Sequence, residues 1–86
     1  MNHFVYIVEC ADQTLYVGYT NNLEKRIFAH NNLKSGAHYT KIRRPVVLVY
    51  SETFTTLSEA RKREMEIKKW DRSKKMQLIE KIIIKR

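Results

Sequence analysis

The sequence predicts an α+β domain, a small sheet carrying helices in the order β-β-α-β-α-α. Three observations lead there. Phe4 to Cys10 is apolar on both alternating faces, as Phe4, Tyr6 and Val8 on one side and Val5 and Ile7 on the other. A second apolar run, Leu15 to Thr20, follows across the polar Ala11–Asp12–Gln13–Thr14 turn, so the sheet is at least partly antiparallel. Beyond a third apolar run lie two segments with helical spacing and helix-capping residues.

The first strand, apolar on both faces, belongs between covering layers. Its partner, "LYVGYT", places Gly18 inside a strand, which marks a bulge, a bend or a close approach by another group. Asn21 or Asn22 caps the next helix, expected over about Leu23 to Leu33, with Leu23 and Ile27 as its inward stripe. Residues 34–44, "KSGAHYTKIRR", break the periodicity and read as an ordered or semi-ordered basic loop. Pro45 opens the third strand, "VVLVY". Thr56 and Glu59 have capping-box spacing, and a helix runs from Leu57 to about Trp70. Asp71 or Ser73 starts a last helix, with Met76, Ile79 and Ile83 on one face and Leu78 and Ile82 beside it.

The chain has 86 residues, 43% hydrophobic and 30% charged, which suits one globular domain over 1–86. Lys and Arg total 17 against 9 Asp and Glu, a formal charge of +8. Such a field attracts polyanions, nucleic acid or an anionic membrane surface, and it also keeps a protein soluble. Cys10 is the only cysteine, which excludes a disulfide framework, and its apolar run suits a small buried hydrophobe. No signal-type segment and no apolar run near the roughly 20 residues of a bilayer span is present, so a soluble cytoplasmic protein without a membrane partner is expected.

Several residues sit where a plain core would not put them. On the helix from Leu57 the inward stripe is Leu57, Ala60, Glu64 and Ile67, then Trp70 or Asp71. Glu64 therefore falls on the apolar face, where an unpaired carboxylate costs several kcal/mol. A buried salt bridge and a metal-binding or acid–base role both fit. Arg26 and His30 are four residues apart on the first helix, at the border of core and solvent. They read either as a solvent-facing pair or as a phosphate clamp beside a proton carrier. Tyr6 and Tyr16 suit core packing, yet a buried phenol needs a partner. The two converge with Arg26 and Glu64 if the first helix crosses the hairpin.

With Val5–Tyr6–Ile7, Tyr16–Val17–Gly18, Arg26, His30 and Glu64 in "EARKREMEIKKW", the chain resembles the GIY-YIG nuclease superfamily over essentially its whole length. It looks closest to that superfamily's short stand-alone bacterial proteins. The resemblance implies a three-stranded antiparallel sheet with the first strand in the middle, flanked by helices. It also implies metal-assisted hydrolysis of DNA phosphodiester bonds, in repair or recombination. By position, Glu64 would hold one Mg²⁺ or Mn²⁺ and Arg26 would offset phosphoryl charge. Tyr6 would help deprotonate the attacking water, assisted by Tyr16 and His30. A single carboxylate argues against a two-metal scheme. Gly18 would let the helix and a phosphate approach, so Gly18→Val is expected to damage activity more than folding.

Family members usually carry a further DNA-binding or targeting domain, so the grip on DNA is expected from this chain's own surface. The candidates are Lys25, Lys34, His38, Tyr39, Lys41, Arg43 and Arg44, with the Arg61–Lys62–Arg63 and Lys68–Lys69 rows. Tyr39 suits stacking on a base or packing on the core. Phosphate contacts of this kind give low sequence specificity. Two other readings fit: a nucleic-acid-binding module that does not cut, and a subunit or dimer assembled through the apolar C-terminal "LIEKIIIKR".

Overall fold

The computed structural model describes residues 2–34 and 36–84. Its elements are β1 (His3–Cys10), β2 (Leu15–Thr20), α1 (Leu23–Asn32), α2 (His38–Lys41), β3 (Val46–Phe54), α3 (Leu57–Lys68) and α4 (Arg72–Ile84). The sheet order is β2-β1-β3, with both pairings antiparallel. β1 is central, as its two apolar faces require: Val5, Tyr6, Ile7 and Val8 are all within 1% of full burial.

The two faces of β1 serve two layers. Val5 and Ile7 join Val17, Tyr50, Ala60, Ile67 and Ile79 in a core beneath α3 and α4. Tyr6, Val8 and Cys10 join Val46 on the other face, with Tyr16, Leu23, Ile27 and Tyr39 packed against them from β2, α1 and α2. β3 feeds both cores. Ile7 pairs with Tyr50 but Val8 pairs with Leu48, so β3 carries one extra residue. That bulge switches the strand's facing between Val46 and Tyr50.

The helix starts follow the capping residues. Asn22 caps α1, its Oδ1 accepting from the Lys25 N–H at 3.0 Å. Thr56 caps α3 by accepting from the Glu59 N–H at 3.2 Å. Asp71 Oδ1 accepts from the Lys74 N–H at 2.9 Å at the start of α4. Each bond satisfies an N–H that the first helical turn leaves open. Cys10 is buried, and burial pushes its thiol up, away from the reactive thiolate.

Two expectations change. Residues 34–44 contain one helical turn, α2, because the Ala37 carbonyl accepts from the Lys41 N–H at 2.9 Å and tertiary contacts hold the turn in place. Gly36 permits this packing, since a Cβ there would sit 2.5 Å from the Ala29 carbonyl oxygen. Leu57 is not inward but 45% exposed, at the first residue of α3. The facing of Ile82 and Ile83 lies outside the described side chains.

Candidate active site

β1 and β2 place the tyrosines. In the pairing, Tyr6 stands opposite Gly18 and Val8 opposite Tyr16, so both phenols project from the face that α1 covers. Gly18 answers to Tyr6. A Cβ at position 18 would lie 2.5 Å from the Tyr6 hydroxyl and 2.7 Å from its Cζ. The missing side chain makes room for the phenol itself, where the helix was expected.

α1 supplies the next pair. His30 is fully buried, not at the border of core and solvent. Its Nε2 lies 2.6 Å from the Tyr6 hydroxyl and its Nδ1 lies 2.6 Å from Thr40 Oγ1. The edge of the ring also packs on Tyr16, with centroids 5.3 Å apart and planes at 68°. Burial pushes the Tyr6 phenol up to about 12, while Arg26, in hydrogen-bonding reach, opposes that rise. Burial also lowers His30 to about 4, helped by the charges of Arg26 and Arg44. At neutral pH the site therefore holds a protonated phenol and a neutral imidazole.

This depression makes stability depend on pH. Below pH 6.5 the unfolded imidazole takes a proton that the folded one refuses until about pH 4. The unfolded state then binds more protons, so stability is full above 6.5 and falls as the pH drops toward 4. The loss expected is up to about 3 kcal/mol. Urea unfolding at pH 7.0 and 4.5, with His30→Gln as reference, measures it. Equal slopes with pH in the two proteins would remove His30 as the cause.

Arg26 connects this buried group to open surface. It lines a cleft of about 510 Å³ with His3, Tyr19, Thr20, Asn21 and Leu57. It also lines one of about 240 Å³ with Asn22, Lys25, Ala29 and Leu33. Tyr6, His30 and Glu64 line neither cleft.

Glu64 arrives from the opposite layer. It stands on the α3 stripe between Ala60 and Ile67, 7% exposed, as its spacing predicts. Its Oε2 pairs with Lys68 Nζ at 3.1 Å, and the lysine side chain is 49% exposed. Its charge is also near enough to raise the Tyr6 phenol, a smaller effect than burial. Tyr6, Tyr16, Arg26 and His30 are thus brought together, and Glu64 stands near enough for its charge to act on Tyr6.

The carboxylate fits a hard divalent cation in one specific way. Among the described residues no group of three or more His, Cys, Asp or Glu could hold a metal. A site built on Glu64 alone suits an ion that keeps several waters and completes its shell with substrate oxygens, as Mg²⁺ does. The lysine that pairs with Glu64 has a half-exposed side chain.

The basic loop is more committed than its composition suggests. Arg44 Nε donates to the His30 carbonyl at 2.6 Å and its second nitrogen to the Leu33 carbonyl at 2.6 Å, capping the end of α1. Arg43 pairs with Asp12 at 3.1 Å and covers the Tyr39 ring at 3.9 Å. Tyr39 in turn stacks on Tyr16, with centroids 5.9 Å apart. Tyr39 therefore packs on the core. Lys25, Lys34 and His38 are exposed, and Lys41 is half-buried with its Nζ donating to the Lys34 carbonyl.

Sequence reasoning missed Thr40 and the cleft residues His3, Tyr19, Thr20 and Asn21. Thr40 is fully buried, yet it lies in a stretch with no apolar period. Only its small hydroxyl amid bulky cations distinguishes it there.

Residues 2–77 match the GIY-YIG catalytic domain family. UPF0213 protein SSP2268 of Staphylococcus saprophyticus is 61% identical over 77 residues, 90% of this chain and 93% of that protein. UPF0213 protein SERP0126 of Staphylococcus epidermidis is 59% identical over 78 residues, 91% of this chain and 94% of that protein. Two solution NMR structures share the fold. UPF0213 protein BH0048 of Bacillus halodurans is 44% identical with a TM-score of 0.60, covering 93% of this chain and 84% of that one. EF2693 of E. faecalis is 38% identical with a TM-score of 0.67, covering 98% and 88%. No helix among the described residues is long and apolar enough to cross a membrane. By sequence match across most of its length and by its β1-centred sheet, the chain belongs to the GIY-YIG nuclease superfamily, among the short UPF0213 proteins.

Proposed function

We propose that residues 1–86 act as one domain that hydrolyses DNA phosphodiester bonds with the help of a divalent cation, with low sequence specificity and in repair or recombination. The observation that carries this reading is the Tyr6–His30 hydrogen bond of 2.6 Å, beside a guanidinium that lines two surface clefts. Arg26 meets the scissile phosphate and offsets the charge that grows on its oxygens. Tyr6 takes a proton from the attacking water while giving its own to His30 Nε2. Tyr16 holds the imidazole ring in place from its edge. Glu64 holds the cation, Mg²⁺ or Mn²⁺. That ion, when bound, polarises the phosphoryl group and steadies the leaving oxygen.

A cleavage panel tests this reading. Nicked, branched and single-stranded DNA are incubated with Mg²⁺, with Mn²⁺ and with EDTA, using wild type and Tyr6→Phe. Cleavage is expected with either metal and none with EDTA, and Tyr6→Phe is expected to lose on the order of 10²-fold in rate. Cutting that survives EDTA rejects the metal requirement.

A second reading is favoured by the burial of Tyr6, 1% exposed, and by Lys68 occupying Glu64. It is a nucleic-acid-binding module without catalysis. Binding without cutting throughout the panel supports it.

For DNA grip we propose the surface of Lys25, Lys34, His38 and Lys41, bordered by Tyr39, Arg43 and Arg44, whose exposed parts add to it while their internal contacts hold the loop in place. Lys25 lines the smaller cleft beside Arg26, so Lys25→Ala is expected to weaken binding equally across sequences and to lower the salt slope by about 1. Arg44→Ala, by contrast, exposes the α1 carbonyls and is expected to cost about 1–2 kcal/mol of stability as well. Fluorescence anisotropy against salt and urea melts separate the two effects. A stability loss in Lys25→Ala equal to that in Arg44→Ala would discard this division of roles.

A further inference from the structure

We propose that Thr40 is a positioning residue of this site, whose hydroxyl holds His30 in the tautomer that turns a bare Nε2 toward the Tyr6 phenol. The inference rests on the reading of Tyr6 and His30 as the proton-handling pair.

A count of hydrogens leads to this assignment. The Ala37 carbonyl only accepts, and Thr40 Oγ1 lies 2.9 Å from it, so the hydroxyl spends its one proton there. Toward His30 Nδ1, 2.6 Å away, Oγ1 then has only lone pairs to offer. Nδ1 must carry a hydrogen, since two lone pairs do not face each other at that distance. A neutral imidazole has one N–H, so Nε2 is bare and the Tyr6 hydroxyl donates to it across 2.6 Å. The chain of donation runs Tyr6 to His30 to Thr40 to Ala37.

Its anchor is rigid. Thr40 and His30 are fully buried and Tyr6 nearly so. The Ala37 carbonyl also accepts from the Lys41 N–H at 2.9 Å, which fixes it within α2. Gly36 lets this turn press on α1, where a Cβ would come within 3.0 Å of His30 Cα. Arg44 donates to the His30 carbonyl from the other side at 2.6 Å. The short helix α2 thus presents one hydroxyl to one imidazole.

In the step this serves, a proton passes from water to the Tyr6 oxygen as the phenol proton passes to His30 Nε2. Hydroxide attacks phosphorus and the bond to the leaving oxygen breaks. The imidazolium keeps its Nδ1–H on Thr40 and afterwards returns the Nε2 proton to the Tyr6 oxygen, as the phenol passes the proton taken from water on to the leaving oxygen or to solvent. Thr40 touches neither substrate nor water and acts through His30 alone.

Long-range proton–nitrogen NMR of the His30 ring at pH 7 reads the tautomer directly, without DNA. Wild type and Thr40→Ser are expected to show Nδ1 protonated and Nε2 bare. Thr40→Val, equal in shape but without the hydroxyl, is expected to exchange the two. With a DNA substrate, Thr40→Val is expected to lower kcat on the order of 10²-fold with KM nearly unchanged, and Thr40→Ser to stay near wild type. A wild-type ring protonated on Nε2 overturns the proposal, as does a folded Thr40→Val with the wild-type spectrum and kcat. If no variant cuts DNA, the nuclease reading fails, and the spectra still decide what Thr40 does. If Thr40→Val does not fold, the spectra of wild type and Thr40→Ser decide it.

Discussion

Glu64→Gln is expected to abolish nearly all cleavage while leaving the fold and DNA binding close to wild type. The side chain lies on the buried stripe of α3, 7% exposed, so a substitution of equal shape is needed to keep Ala60 and Ile67 packed. Gln keeps that shape and removes the charge. The stability cost should be small. Its ion pair is with a half-exposed lysine, and such pairs contribute about 1 kcal/mol or less. Losing the negative charge also relieves the Tyr6 phenol. The catalytic cost should be large, because no group of three or more His, Cys, Asp or Glu exists among the described residues to take over a cation. Losing a cation's stabilisation of phosphoryl charge is worth about 4 kcal/mol, or roughly 10³-fold in rate. Single-turnover cleavage of nicked DNA in Mg²⁺, beside anisotropy for binding, measures both. A Glu64→Gln protein that cuts at the wild-type rate ends the assignment of the cation to this residue.

Gly18→Val is expected to damage folding and activity together. The first added carbon already falls 2.5 Å from the Tyr6 hydroxyl, and two methyl groups extend beyond it. An exposed tyrosine would swing aside at little cost. Tyr6 is 1% exposed and bonded to His30, so its displacement breaks that bond and disturbs the core of Val8, Cys10 and Val46. Overpacking of this kind costs about 1–3 kcal/mol. For a domain of this size that is a fall in Tm of roughly 5–20 °C. Cleavage should fall at least as far as with Tyr6→Phe, since the phenol is present but misplaced. The clash with Tyr6 adds a folding cost to the expectation that activity suffers more than folding. Thermal melts and the cleavage assay decide it. Wild-type Tm and rate in Gly18→Val would mean that position 18 has room that this geometry denies.

Other parts of the site were legible in varying degree. Glu64 could be found without coordinates because α3 repeats its facing every 3.6 residues, and a carboxylate on an apolar stripe stands out against that period. The tyrosines could be placed on one sheet face because strand period two and a short turn leave little freedom of register. His30 was misjudged in depth. Its stripe neighbours Leu23 and Ile27 are only half-buried, whereas the end of α1 is tied to Val46 through the Asn31 amide and to the α2 turn through Thr40. Arg43 and Arg44 read as free cations because nothing near them in sequence shows an acid or a row of carbonyls; Asp12 lies 31 positions away.

From the chain alone followed the order of the elements apart from the α2 turn, the central place of β1, the helix caps, the net charge and the misfit at Glu64. Each of these depends on patterns that repeat within a few residues, which elementary geometry converts into faces and ends. The tertiary structure alone decided which cations are spent on the protein's own carbonyls, how deeply His30 lies, and which side chains face its two ring nitrogens. Those depend on partners 10 to 31 positions apart, as with Thr40, Tyr6 and Asp12, and a hydrogen bond exists only once folding has brought both its ends within about 3 Å.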